Sequence, residues 1–355
     1  MKLFLVYDER HRLHRDPEDR HPEGVWRVEE AVEELKKSSA WSYVELRKAP
    51  EPDYGAVLLV HDEDYVEWIK RECSKGFHYV DADTYVTEYT CDIAASFAAA
   101  SRDAALRSVE TGLPWFIMAR PGGHHAGRRG PAMGAPTLGF CVFDYAAIAA
   151  KALLDRGYRV MVLDFDAHHG NGTQEIFWYE GRVLHVDIHQ RWLYPGTGDI
   201  EDVGGTGAEG TKINIPLYPD SSDGHYAWVL HNVVERARRM FTPNALVVFA
   251  GFDAHKDDRL SQLRATEVTY SLFGHYLRKL LESGEIKGLV SILGGGYGSG
   301  MIKSFRSYIE GLLNTADEPR VSSTSPGKSV ENGIEKVFSL LSKTVQNLKS
   351  SLKQQ

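Results

Sequence analysis

The sequence predicts an α/β fold in which one mostly parallel sheet is covered by helices on both faces. Short apolar segments of strand length alternate with segments of helical periodicity along most of the chain. Apolar strands that alternate with helices are typical of a parallel sheet buried on both sides. Several of these segments end in polar or glycine-rich residues, and ligands bind outside the carboxyl ends of the strands in such folds. We therefore expect one crevice lined by several strand ends.

Six segments have the length and apolar character of buried strands. They read LFLVYD, WFIMAR, RVMVLDFD, VLHVDIH, ALVVFAG and GLVSILGGG, at residues 3–8, 115–120, 159–166, 183–189, 245–251 and 288–296. Two segments between them are predicted helices, DIAASFAAASRDAALRSVETG at 92–112 and YAAIAAKALLDRG at 145–157. The second ends in a glycine, as helices often do.

Composition limits the class of protein. The chain has 355 residues, of which 43% are apolar and 25% charged, values ordinary for a globular protein with a sizeable core. The net charge of −8 does not indicate a nucleic-acid-binding surface, and no apolar run reaches the ~20 residues that span a bilayer. Cys73, Cys91 and Cys141 show no CxxC spacing, which argues against a disulfide framework and a cysteine-ligated metal. We expect a protein of the reducing cytoplasm, with no nucleic-acid or membrane partner.

The C-terminal part differs in composition from the rest. We predict one domain over residues 1–314, a polar linker at 315–329, and an amphipathic helix at 330–355. The apolar residues of this helix recur at three- and four-residue spacing: Val330, Ile334, Val337, Leu341, Val345, Leu348 and Leu352. We expect the stripe to dock on the body or on another subunit, and we predict a homo-oligomer through this helix.

The stretch LDFDAHHGNG places two aspartates and two histidines directly after a buried-looking strand. Because alternate residues of a strand share a face, Asp164, Asp166 and His168 are predicted to point the same way. AGFDAH adds Asp253 at the end of a second strand. One imidazole and two carboxylates, Asp166, His168 and Asp253, suit a catalytic ion; zinc fits, and iron, manganese and cobalt stay open. The alternative, a helix cap beside surface histidines, does not explain so many polar residues after one apolar strand.

Two further strand ends carry groups suited to acid–base chemistry. His124 and His125 follow two glycines in RPGGHHAG, and each needs a partner that holds its ring and tunes its pKa. Asp164 is a natural partner for one of them. Tyr297 follows three glycines in LGGGYG and offers a hydroxyl donor at the same edge. A phosphate loop is the competing interpretation, but LGGGYG lacks the lysine and the spacing of a P-loop.

Taken in order, these motifs resemble the histone deacetylase and acetylpolyamine amidohydrolase superfamily, and their spacing resembles its class II branch. The matching stretches are HPEGVWRVEE, VHDEDYVEWI, DADTYVT, PGGHHA, GFCVFDYAAIAA, VLDFDAHHGNGTQEIF, YPGTGD, EGTKINIPL, GFDAH and LGGGY. The resemblance extends from about the first strand to Leu313. It implies an arginase-like three-layer α/β/α fold and zinc-dependent hydrolysis of an N-acetyl amide on a lysine side chain or a related amine.

The resemblance also implies roles for the polar residues. Asp166, His168 and Asp253 stand at the zinc ligands of the family, which agrees with the choice made from the residues. Tyr297 stands at the tyrosine that hydrogen-bonds the substrate carbonyl. Since it is a tyrosine rather than the histidine of a weakly active branch, we expect real deacetylase activity.

The tandem histidines have separate implied roles. His125 is the general base and later the general acid, with Asn171 behind it in place of the aspartate of class I members. His124 acts mainly by electrostatics and is held by Asp164. Asp187 stands where the family usually has serine or threonine beside a structural potassium ion. The additional carboxylate strengthens that site or binds a different ion, so Asp164 and Asp187 are the implied ligands of potassium or of another ion.

The substrate tunnel is the last implied feature. Phe140 and Tyr194 resemble its two aromatic walls, and Gly139 allows close approach of the backbone. Leu260 falls near the gatekeeper position, where leucine favours acyl-lysine or another neutral substrate over a polyamine. Residues 257–259, DDR, replace the usual GDP and bring a positive charge to the tunnel mouth.

Other functions stay open at this point. An acetylpolyamine or a small acetylated metabolite fits the same tunnel as acetyl-lysine. A binuclear manganese ureohydrolase shares the fold but needs further bridging carboxylates after the late strand. A non-enzymatic acetyl-lysine binder would keep the scaffold, yet the complete set of polar residues argues against it.

Overall fold

The computed structural model describes residues 1–352, and its centre is a sheet of eight strands. Numbered along the chain, the strands are β1 (Leu3–Val6), β2 (Val44–Arg47), β3 (Trp115–Ile117), β4 (Val160–Asp164), β5 (Val183–Gln190), β6 (Lys212–Leu217), β7 (Ala245–Ala250) and β8 (Gly288–Leu293). Their order in the sheet is β6-β5-β4-β7-β8-β3-β1-β2. Every neighbouring pair is parallel, so the predicted mostly parallel sheet is confirmed.

Two strands of the sheet were not predicted. β2 lies at an edge, and its residues VELR are half-buried or exposed, so no apolar run marks it. β6 begins with a charged residue, yet Lys212 is fully buried. Its ammonium donates to the Val183 carbonyl at 3.0 Å and to the Thr211 hydroxyl at 2.7 Å, which offsets the cost of burial.

Helices cover both faces of the sheet. They are α1 (Trp26–Lys36), α2 (Tyr54–Val57), α3 (Glu63–Cys73), α4 (Thr90–Thr111), α5 (Tyr145–Asp155), α6 (Asn171–Ile176), α7 (Asp223–Val229), α8 (Glu235–Phe241), α9 (Glu267–Glu282), α10 (Gly300–Leu313) and α11 (Lys328–Leu352). A π-helical turn at Leu230–Val234 joins α7 to α8. One apolar core packs α1 and α7–α11 on one face, and a second packs α2–α6 on the other. This is the predicted three-layer α/β/α arrangement.

Helix α11 packs on its own chain. Its apolar residues belong to the first core, and the buried ones are Val330, Ile334, Val337, Phe338, Leu341 and Val345. Thr344 donates a hydrogen bond to the Glu209 carbonyl at 2.7 Å, and Arg236 pairs with Glu335 at 2.9 Å. The stripe that motivated self-association is thus covered within the chain, as expected for docking on the body, while self-association through this helix stays a prediction. Residues 353–355 of the predicted helix lie outside the described residues.

The cysteine prediction is wrong. Cys73, at the end of α3, and Cys91, at the start of α4, form a disulfide with a Cα–Cα distance of 6.2 Å, while Cys141 is free and buried. Spacing along the chain misled because the segment 74–89, which contains the paired short strands His78–Tyr79 and Tyr85–Val86, folds back and brings the ends of the two helices together. The cysteines therefore no longer argue for a reducing compartment. Among residues 1–352, no helix is long and apolar enough to cross a membrane.

Candidate active site

The polar residues predicted to follow several strands meet at the carboxyl ends of those strands. β4 ends at Asp164, two residues earlier than predicted, because the chain then turns over the edge of the sheet. Asp166 and His168 lie in this turn rather than in the strand, so strand alternation does not explain their shared direction. Asp253 follows β7, and Tyr297 follows β8, whose last residue is Leu293.

Asp166, His168 and Asp253 form a buried cluster whose ligand atoms all lie within 4.8 Å of one another. His168 Nδ1 lies 2.9 Å from Asp253 Oδ2 and 3.1 Å from Asp166 Oδ1. The backbone N–H of Gly295 donates to Asp166 at 2.6 Å, and that of Ala167 donates to Asp253 at 2.7 Å. These bonds aim both carboxylates at the imidazole, and two carboxylates with one imidazole fit a single divalent ion.

The glycines of this edge leave room for the cluster. A β-carbon on Gly251 would collide with the carboxylate of Asp166, and one on Gly295 would collide with that of Asp253. Burial and the nearby charge of Asp166 raise the pKa of Asp253 to about 7. Burial lowers the pKa of His168, but the two carboxylates outweigh it and raise that pKa to about 10. The electrostatics of the cluster therefore favour a cation.

The tandem histidines lie beside the cluster with separate partners. His124 Nδ1 lies 2.8 Å from Asp164 Oδ2, and the Nε2 atoms of His124 and His125 are 3.2 Å apart. Burial lowers the pKa of His124, but Asp164 and Asp166 outweigh it and raise the pKa to about 9. The pKa of His125 is held well below 6.5 by burial and by the charges of His124 and His168. His125 is thus neutral at neutral pH, as a general base must be.

A cleft of about 250 Å³ leads to these groups. Its lining residues are Asp83, His125, Gly139, Phe140, His168, Leu193, Tyr194, Leu260 and Tyr297. Edge-to-face contacts place the Phe140 ring 5.5 Å from that of Tyr297, and the Tyr194 ring 5.0 Å from that of His125. The structure therefore brings all four predicted tunnel residues to one opening that also reaches His168 of the buried cluster.

Comparison with known proteins gives the family of this fold and site. The histone deacetylase domain matches residues 21–312. The chain belongs to the histone deacetylase family. The HD domain of HDA15 has a crystal structure that superimposes with a TM-score of 0.85 at 28% identity, covering 100% of this chain and 99% of that one.

Relatives of this family member occur in archaea and plants. An uncharacterised protein of Methanocaldococcus jannaschii is 40% identical over 261 residues, which cover 74% of each chain. A probable deacetylase of Archaeoglobus fulgidus is 35% identical over 84% of this chain and 82% of that one. A chloroplastic protein of Oryza sativa, histone deacetylase 10, is 31% identical over 89% of this chain and 76% of that one.

Tyr297 of this histone deacetylase family member is held from two sides. The Arg27 guanidinium lies 4.8 Å from the centre of its ring, and Asp258 accepts its backbone N–H at 2.6 Å. Burial raises the pKa of Tyr297 well above 10, so the hydroxyl keeps its proton. Arg27 itself is buried and donates to the carbonyls of Gly294 and Gly296. Sequence reasoning missed Arg27, although it lies in the family stretch HPEGVWRVEE.

Asp83 is a second residue that sequence reasoning missed. It accepts hydrogen bonds from the Thr137 hydroxyl at 2.6 Å and from the Gly139 backbone N–H at 3.2 Å. Gly139 has a left-handed φ of 56°, and a β-carbon there would lie 2.7 Å from the ring of Tyr194. Asp83 therefore positions the wall of the cleft, and the stretch DADTYVT was the signal available in the sequence.

A second buried cluster lies behind the first. It contains Asp164 and Asp187, which the resemblance pairs, together with His185, which sequence reasoning did not single out. His169 is not part of it; its ring contacts the Thr197 hydroxyl at 2.8 Å and the Gln174 amide oxygen at 3.2 Å. The ring of His169 is thus held by structural hydrogen bonds.

Proposed function

We propose that this protein is a zinc-dependent deacetylase that hydrolyses the N-acetyl amide of lysine side chains or related amines. The observation that carries the proposal is the buried cluster of Asp166, His168 and Asp253 at the floor of an aromatic-walled cleft, beside a neutral His125. Membership of the histone deacetylase family supports the reaction class.

Zinc fits the donor set better than a hard cation does. Hard cations such as Mg²⁺ take oxygen ligands, whereas an imidazole with two carboxylates suits zinc and related ions. Held by Asp166, His168 and Asp253, zinc would polarise the acetyl carbonyl and lower the pKa of a water molecule beside it. The remaining steps belong to side chains of the chain itself.

His125 moves the proton. Its Nδ1 bonds to Asn171 Oδ1 at 2.7 Å, which leaves Nε2 to accept a proton from the attacking water. Nε2 then donates that proton to the nitrogen of the leaving group, because a neutral amine is a better leaving group than the deprotonated amine anion. His124 is paired with Asp164 and carries a positive charge. That charge stabilises the negative charge that develops on the oxygen atoms bound to the attacked carbonyl carbon.

Tyr297 stabilises the transition state from the opposite side. Its hydroxyl stays protonated and donates to the carbonyl oxygen as negative charge develops there. Arg27 and Asp258 hold the tyrosine in place, so little reorganisation is needed during the reaction.

The cleft supports a linear acyl-amine substrate. Phe140 and Tyr194 would contact the methylenes of a lysine side chain, with Gly139 and Leu260 at the same opening. An acetylpolyamine is the second candidate, because the Asp83 carboxylate lines the cleft and would attract a second ammonium group. A bridged binuclear ureohydrolase is disfavoured, since the two clusters among the described residues share no ligand. We propose that the enzyme has no nucleic-acid partner, which the net charge of −8 supports.

One experiment tests the function and separates the substrates. The zinc-loaded protein is assayed on acyl-lysine peptides, a minimal acetyl-lysine amide and acetylpolyamines, each with and without a chelator. We expect turnover of acetyl-lysine that the chelator abolishes, and no turnover by His125→Ala. Hydrolysis of none of these substrates would overturn the proposal and favour a non-enzymatic binder.

A further inference from the structure

We propose that Asp164, His185 and Asp187 form a second metal site, which binds a divalent transition ion rather than potassium. Their ligand atoms all lie within 4.8 Å of one another, and all three side chains are fully buried. The resemblance to the family implies a potassium ion here. The two carboxylates offer oxygen atoms, but the imidazole of His185 does not fit potassium, because protein sites for potassium are built from oxygen atoms such as backbone carbonyls.

His185 is the observation that points to a ligand. It lies on β5 two residues before Asp187, so both side chains are on the same face of the strand. Neither ring nitrogen of His185 has a hydrogen-bond partner within residues 1–352, although the side chain is completely buried. An unpaired buried imidazole is costly, and a metal ion is a partner that would offset that cost.

The distance between the His185 and Asp187 side chains fits two ligands of one metal ion better than it fits a direct hydrogen bond. His185 Nε2 lies 3.5 Å from Asp187 Oδ2, which is longer than a good hydrogen bond. Two ligands about 2.1 Å from one tetrahedral ion are about 3.4 Å apart. Imidazole nitrogen also selects zinc, iron, cobalt or nickel over the hard cations.

The space between the carboxylates is kept open by the backbone. A β-carbon on Gly170 would lie 2.7 Å from Asp164 Oδ2 and 3.1 Å from Asp187 Oδ2. The groups that already face the carboxylates are all donors. They are His124 Nδ1 and the Asp166 N–H on Asp164, and the Gly170 N–H and His189 Nδ1 on Asp187. Each carboxylate oxygen has further lone pairs, so these bonds orient the ligands without blocking the ion.

A second ion would affect the reaction indirectly, by fixing the positions of Asp164 and of the two histidines that depend on it. Asp164 holds His124, and His124 contacts His125. Fixing Asp164 from behind therefore fixes the tandem histidines. Asp164 is a positioning residue in this scheme, and the second ion does not touch the substrate.

Metal content tests the inference without relying on activity. Protein is stripped with a chelator, reloaded separately with Zn²⁺ and Co²⁺, and freed of loose ion by gel filtration before metal per chain is measured. We expect about two ions per wild-type chain and one in His185→Leu. His275→Leu is the matched control, because His275 is also buried but lies on α9 and bonds to the Ser271 and Ala316 carbonyls. This control should retain both ions.

Further variants keep the test decisive if His185→Leu does not fold. His185→Gln and Asp187→Asn preserve size and polarity, and each should lose the same ion and its share of the Co²⁺ visible absorption. Asp253→Asn removes a ligand of the first cluster, so its remaining ion should depend on His185. One ion per wild-type chain that His185→Leu does not change would overturn the second site and leave the proposed function standing. A single ion combined with thermal stabilisation by K⁺ would overturn it in favour of potassium.

Discussion

Asn171 accepts a hydrogen bond from Nδ1 of His125, and the two atoms are 2.7 Å apart. The amide nitrogen of Asn171 donates to the Ala132 carbonyl at 2.9 Å, which fixes the end of the amide that faces the histidine. His125 therefore carries its proton on Nδ1 and presents Nε2 to the cleft. Because an amide has no charge, it stabilises a protonated ring less than a carboxylate would.

We expect Asn171→Asp to move the acidic limb of the pH–rate profile to higher pH. The pKa of His125 is lowered by burial and by the nearby charge of His124. A carboxylate on Nδ1 favours the protonated ring and raises that pKa, by roughly 1–2 units. Since only the neutral ring can accept a proton, the variant loses activity at pH values where the wild type is still active.

The measurement is kcat/KM against pH for both proteins. Asn171→Ala serves as control, because it removes the hydrogen bond without adding charge and should lower the rate with a smaller shift of the limb. Superimposable profiles for wild type and Asn171→Asp would contradict the role given to His125.

Tyr297→Phe should lower kcat by about 10²–10³ with little change in KM, the typical cost of removing one oxyanion donor. The ring that packs under Arg27 and against Phe140 is retained, so the fold and the cleft wall should not change. Steady-state kinetics on an acetyl-lysine peptide, together with thermal unfolding, check this. A variant with unchanged kcat would exclude the hydroxyl from the reaction.

Leu341→Ala tests the docking of α11. Leu341 is fully buried in the core that α11 completes, so truncation should lower the free energy of unfolding by about 2–5 kcal/mol. The exposed Lys343 on the same helix provides the control, and Lys343→Ala should be close to neutral. Solution mass is measured in parallel. An oligomer that Leu341→Ala converts into folded monomers would instead support self-association through this helix.

Cys73→Ser tests the disulfide. Cys73 and Cys91 are 18 residues apart, and closing a loop of that length contributes about 3 kcal/mol to stability. We expect that loss in denaturant unfolding. The change in kcat should be small, because none of the residues proposed to bind zinc, nor His125 or Tyr297, lies in the loop that the disulfide closes. Wild type under reducing conditions should match the variant. If reductant left the unfolding free energy of the wild type unchanged, the disulfide would not form in solution.

The sequence by itself determined the layers of the fold and most of the site. Long apolar runs are local signals, and those starting at Leu3, Trp115 and Val160 became strands within a few residues of prediction. His124 and His125 could be assigned to the site from the sequence, because they come directly after a strand and two glycines. Such features are readable because a strand end and the turn that follows it are contiguous in the chain.

Only the tertiary structure decided which distant residues meet. Asp253 reaches His168 across 85 residues, and Cys73 reaches Cys91 because two helices pack side by side. Lys212 begins an edge strand that is nevertheless fully buried, and a charged first residue does not predict such a strand. The apolar stripe of α11 is buried against its own chain. The sequence did not distinguish His185 from other polar residues, whereas the structure places it in a cluster with Asp164 and Asp187. The free energy of such contacts depends on burial and on neighbours that the fold alone supplies, so no local pattern encodes them.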